Sequence, residues 1–124
     1  MNTFITKAQD FFIIAKLSQD LRKFDVACSN YFKALSASSD FLLAQKNLFA
    51  KDHYSRFQML KQNFPDIYTV LSSLFLTYRR TYTKEISEEE TTHLNQKVKE
   101  VFQNAGIKIP QDEEIKTNLK KTFN

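Results

Sequence analysis

Residues 24–45 read FDVACSNYFKALSASSDFLLAQ. Ala27, Tyr31, Ala34, Leu35, Ser38, Phe41 and Leu42 fall on one side of a helix, and Leu48 and Phe49 extend the line. The spacing predicts one long helix from about Asp25 to Phe49, with the Asp25 carboxylate capping its first backbone N–H groups. Its middle, Ala34 to Ser39, is built of small residues around Leu35. A helix this narrow lets a neighbour approach closely, which marks it as the central helix of a bundle.

The rest of the chain agrees with that centre. A first helix is expected from about Thr6 to Lys23, with Ile5, Ala8, Phe11, Phe12, Ile14, Ala15 and Leu21 inward and Asp10, Lys16, Gln19 and Asp20 in water. A short third helix, His53 to Asn63, follows Asp52 as its cap, with Phe57, Leu60 and Phe64 apolar. Pro65 interrupts the backbone ladder and starts a fourth helix, Asp66 to about Lys84, which turns Ile67, Val70, Leu71, Leu74, Phe75 and Tyr78 inward. Ser87 with Glu90 three residues on forms a capping box for a fifth helix, which buries Leu94, Val98, Val101, Phe102 and Ala105 and stops at Gly106.

These segments imply an all-α fold, an antiparallel bundle of four main helices plus a short extra one. Residues 1–106 form the bundle domain. Residues 107–124 form a tail whose weak pattern of Ile115, Leu119 and Phe123 suits a short docked helix. A chain of 124 residues with one glycine and two prolines has too few turn residues for an all-β fold. Twelve phenylalanines and five tyrosines, with no tryptophan, supply the core.

Composition narrows the chemistry. The net charge is +4, with residues 1–84 carrying twelve basic against six acidic side chains. A mildly basic body can attract phosphate or nucleic acid. A single glycine excludes a phosphate-cradling glycine-rich loop. His53 and His93 sit on different elements, and neither has a metal-ligand neighbour at helical spacing. Glu88, Glu89 and Glu90 are explained by the positive end of a helix. No metal and no cofactor is therefore expected. Cys28, the one cysteine, reads as a small buried hydrophobe. With no leader and no long apolar run, the expected compartment is the cytoplasm, without a membrane.

FLTYRRTYTKEI, residues 75–86, is the stretch with most to offer a ligand. Tyr78 and Tyr82 are one helical turn apart and share a face, a stacking surface for a base. Arg79, Arg80 and Lys84 can grip a phosphate or a partner's carboxylate. The same residues also suit a helix end packed by tyrosines, with its arginines in solvent.

The order of elements resembles HEPN domains, a helical family of nucleotide-binding and toxin–antitoxin-associated proteins. Asn30-Tyr31-Phe32-Lys33-Ala34 stands where that family has its YYA core. His53 with Phe57 to Phe64 is similar to the next element, and Leu71, Leu74, Phe75 and Arg79 to Tyr82 resemble the following one. Ser87 to Glu90 opens the last helix as the family does. The match runs over about residues 5–105.

The resemblance implies a frequently dimeric bundle that cleaves RNA or partners a small nucleotidyltransferase. Ribonuclease members carry Arg, four to six residues, then His. None of Arg22, Arg56, Arg79 and Arg80 is followed by His at that spacing, and Arg80-Thr81-Tyr82 keeps only the tyrosine of the family's ADY triplet. The expectation is thus a non-catalytic, homodimeric HEPN-like binding module for a nucleotide, RNA or a nucleotidyltransferase partner. Its ligand wall would be Arg79, Arg80, Tyr82, Tyr78 and Lys84, with His53 nearby. A helical interaction or assembly module without a nucleotide site is the alternative, and a ribonuclease with a non-standard base the third.

Overall fold

Helix ends in this protein are set largely by local side-chain chemistry. A computed structural model describes residues 2–123, with side chains to residue 117. Six helices and no strand occur among the described residues: α1 (Thr3–Asp20), α2 (Phe24–Ala44), α3 (His53–Asn63), α4 (Pro65–Arg80), α5 (Glu88–Ala105) and α6 (Asp112–Phe123). The fold is all-α. The Asn2 side chain accepts from the Phe4 N–H at the start of α1, and Asp52 accepts from Ser55 at the start of α3. Ser87 and Glu90 form the reciprocal box at the start of α5, and Pro65 occupies the first turn of α4, where its missing N–H costs nothing. Gly106 ends α5 with φ of 71°.

Several ends differ from expectation. Helix α2 stops at Ala44 and not Phe49, because Asn47 takes a left-handed φ of 58° and the Leu48 N–H turns back to the Leu43 carbonyl. Asparagine tolerates that conformation. Phe49 then lies outside the helix and is exposed. Helix α1 stops at Asp20, not Lys23: Arg22 is left-handed at 61°, and the Lys23 N–H bonds to the Ser18 carbonyl. Leu21 is consequently exposed rather than inward. Ile14 is also exposed, since one residue turns a helix about 100° away from the Ala15 line. Asp25 does not cap α2. Its carboxylate accepts from the Ile86 N–H instead, tying the α4–α5 connection to α2. Helix α4 ends at Arg80, so Tyr82 and Lys84 lie in the turn beyond it.

Helix α2 is central: it packs against α1, α3, α4 and α5. Ala8, Ala15 and Ser18 on α1 and Ala27, Ala34 and Ser38 on α2 are all buried, and side chains this small let the two helices run close and antiparallel. Phe12 reaches Tyr31 and Phe102, at centroid distances of 5.8 and 5.7 Å, joining α1, α2 and α5. Leu94, Val98, Val101 and Phe102 bury the inner face of α5 as expected.

A polar seam crosses this core. The Tyr31 hydroxyl donates to Gln19 Oε1 at 2.6 Å and accepts from Asn95 Nδ2 at 2.8 Å. Gln19, expected in water, is a half-buried core partner, because a buried phenol needs one. Burial pushes the Tyr31 hydroxyl up to about 12. Beyond α5, Ile107 and Ile115 are buried and Gln9 donates to the Lys108 carbonyl. The side chains of Leu119 and Phe123 lie outside the described residues. No helix among those described is long and apolar enough to cross a membrane.

Candidate ligand-binding site

Tyr78 is the hinge of the candidate site. It faces inward from the last turns of α4, and its ring stacks on the buried Phe32 of α2 at 4.5 Å, within 13° of parallel. Four residues later Tyr82 meets it edge-on, at 5.8 Å and 78°, and the two hydroxyls are 2.9 Å apart. Tyr82 is 73% exposed, so a buried ring anchors an open one. That hydroxyl contact, with burial, pushes Tyr78 up to about 12.

His53, the first residue of α3, completes the cluster. Its ring lies 5.6 Å from Phe75, 6.0 Å from Phe32 and 6.1 Å from Tyr78. Arg56 sits one helical turn on and approaches His53 Nδ1 at 3.0 Å. A guanidinium only donates, so Nδ1 is the acceptor and the neutral ring carries its proton on Nε2. Desolvation, followed by the Arg56 charge, holds His53 below its ordinary pKa. The ring so held offers solvent an N–H donor rather than a base. Arg56 is itself fixed by a two-pronged bond to Asp40 of α2, at 2.8 and 3.1 Å, and both side chains are largely buried.

The adjacent arginines part company. The Arg79 guanidinium lies 6.0 Å over the Phe75 ring, the same ring that His53 packs against. Arg80, turned about 100° away, bonds Glu90 at 2.6 Å. The other Glu90 oxygen is engaged by Ser87, and the Arg80 bond is the main reason that the Glu90 carboxyl lies below its usual range. Ser29 donates to Thr81 Oγ1, and Asp25 accepts from Ile86 nearby. Cys28 is buried, and its thiol is pushed up to about 12 by that burial and by Glu90 and Asp25. A protonated buried thiol is inert, in keeping with a packing role. Lys84 is exposed.

Thus the structure brings His53, Tyr78, Tyr82 and Arg79 to one edge, and turns Arg80 into a clasp between α4 and α5. A cleft of about 380 Å³ borders the same junction, lined by Arg22, Lys23, Phe24, Asp25, Val26, Glu85 and Ile86. Its mixed charges exert little net pull on an anion. His93 is exposed on α5, and no group of three or more His, Cys, Asp or Glu among the described residues could hold a metal ion.

The sequence reading missed Arg56 and Asp40. His53 and Arg56 at helical i, i+3 spacing were a readable signal. Asp40 had none, since it arrives from another helix. No family model, curated protein or solved structure matches this chain.

Proposed function

We propose that this chain is a non-catalytic HEPN-like binding module for a nucleotide, RNA or a small nucleotidyltransferase-type partner, acting through His53, Tyr78, Tyr82 and Arg79. The observation that carries it is the exposed Tyr82 ring anchored to the buried Tyr78, beside a neutral imidazole and a guanidinium that has no carboxylate partner among the described residues. Aromatic faces beside a cation suit a base and its phosphate. His53 is a poor general base here because its Nδ1 lone pair is taken by Arg56. A thermal-shift screen of nucleotides and short RNAs tests the module. Stabilisation that disappears in a Tyr82→Leu, Arg79→Gln double variant is expected, and stabilisation unchanged by that variant would count against this site.

A second reading, a helical interaction or assembly module without a nucleotide site, rests on a different feature, and self-association is its simplest form. Leu76, Phe49 and Tyr54 are 64%, 60% and 73% exposed, large side chains open to a partner surface. Light scattering of the purified chain tests it. A dimer that Leu76→Glu dissociates supports assembly, and a monomer at high concentration argues against it.

A further inference from the structure

Resting on the binding role proposed above, we infer that the Tyr82 edge takes an unpaired base of single-stranded RNA, held by stacking and a single phosphate contact, and discriminates against duplex.

The first ground is charge. Three arginines approach this edge, but Arg56 is committed to Asp40 and Arg80 to Glu90. Among the described residues, Arg79 alone of the three has no carboxylate partner, and it lies over Phe75, the ring that His53 also packs against. The connection after Tyr82 carries Lys84 directly beside Glu85, and the first turn of α5 carries Glu88 and Glu89, all exposed. A duplex lays two closely spaced rows of phosphate on its binding surface and is held through many cationic contacts. One guanidinium flanked by carboxylates is ill-suited to that.

The second ground is shape and ring chemistry. Tyr82 is 73% exposed, and its hydroxyl is tethered to Tyr78, whose ring is stacked on Phe32. The open ring is therefore pre-oriented, and stacking on it costs little further ordering. Bases in a duplex are stacked on each other and cannot reach it, whereas splayed single-strand bases can. The Nε2–H of His53, set by the Arg56 bond to Nδ1, adds a donor for a base-edge oxygen or nitrogen.

The experiment is an NMR titration of ¹⁵N-labelled protein with three probes: a short single-stranded oligoadenylate, an RNA duplex of equal length, and AMP. Affinity for the single strand is followed as salt is raised. The strand should shift amides around Tyr82 and Arg79, and the duplex should bind about tenfold more weakly. The salt slope should be near −0.7, the value for about one phosphate contact on a single strand, and Arg79→Gln should flatten it. Tyr82→Leu should lower strand affinity severalfold, while Tyr82→Trp, which keeps a stacking face but not the hydroxyl tether, should bind more tightly than Tyr82→Leu and, in a chain without tryptophan, supplies a fluorescence signal that stacking quenches.

Duplex binding as tight as the strand, a slope steeper than about −1.5 (two or more contacts), or an unaltered Tyr82→Leu variant would overturn the inference while leaving a binding module intact. AMP binding as tightly as the strand would assign the edge to a free nucleotide and also overturn it. If none of the three probes binds at the edge, both the inference and the nucleotide or RNA role fall.

Discussion

Two regions only a few residues apart use the same residue types differently. At the α4–α5 junction, Arg80 and Ser87 share Glu90, Asp25 holds the Ile86 N–H and Ser29 bonds Thr81, so the surface they make is already spoken for. At the His53 edge the polar groups are fixed from beneath, by Asp40 through Arg56, while Tyr82, His53 and Arg79 face outward. The contrast teaches that a charged pair in a sequence is not a unit. Helical rotation gave one arginine a carboxylate partner and the other an aromatic ring. Function is better sought where support is buried and the supported group is open.

The comparison can be broken most forcefully at its shared foundation. Phe32 is fully buried under His53, Phe75 and Tyr78, so Phe32→Ala should destabilise the fold by about 3–5 kcal/mol in chemical denaturation. Tyr82→Ala should cost less than about 0.5 kcal/mol, as exposed substitutions do. Comparable losses would show that the Tyr82 ring is structural.

Next in size is the support of His53. Removing one member of a largely buried pair strands the other, so Asp40→Ala should cost about 3 kcal/mol. It should also loosen Arg56 and alter the His53 ring resonances in NMR spectra. Unchanged His53 signals would mean that the Arg56 contact does not position the ring.

The arginine pair gives a smaller, sharper test. Arg80 and Glu90 are both about a third or more exposed, so solvent screening limits Arg80→Ala to about 1 kcal/mol, and Arg79→Ala should lie within about 0.5 kcal/mol of zero. Double-mutant cycles should find coupling between Arg80 and Glu90 and none between Arg79 and Glu90. The opposite result would exchange the roles assigned to the two residues.

The subtlest effect is on pH dependence, and the two regions should separate along the acid limb. His53 has a folded pKa below its ordinary 6.5, so the unfolded chain takes up that proton first. Its contribution is complete above 6.5 and is lost as pH falls toward the folded value. Glu90 is depressed below 4.5, so its contribution persists to lower pH and fades beneath 4.5. Melting temperatures should therefore fall in two stages on acidification. His53→Phe should remove the upper stage, and Glu90→Gln should diminish the lower one, to which Asp52, held below its ordinary range by its Ser55 hydrogen bonds, also contributes. A single-stage curve for the parent protein would refute the separation.

Much of the architecture could be read from local signals, because helix formation is governed by neighbours in the chain. The Asp52 cap, the Ser87–Glu90 box, Pro65 and Gly106 marked real ends, and the apolar stripes of α4 and α5 named residues that are buried. At Arg22, which adopts a positive φ, no such marker existed, while Asn47 was a marker left unread, and the expected ends of α1 and α2 fall too far on. Tyr78 and Tyr82 sharing a face followed from spacing alone, and the burial of Cys28 from the small apolar character of a lone cysteine in a helix. Spacing could not say which arginine meets a carboxylate, that Asp25 would hold Ile86 and not cap α2, or that Gln19 and Asn95 would satisfy Tyr31. Those partners lie on other elements, between 10 and 64 residues away. Periodicity decides which side of a helix is dry; only the packing of helices against one another decides which polar groups end within hydrogen-bonding distance.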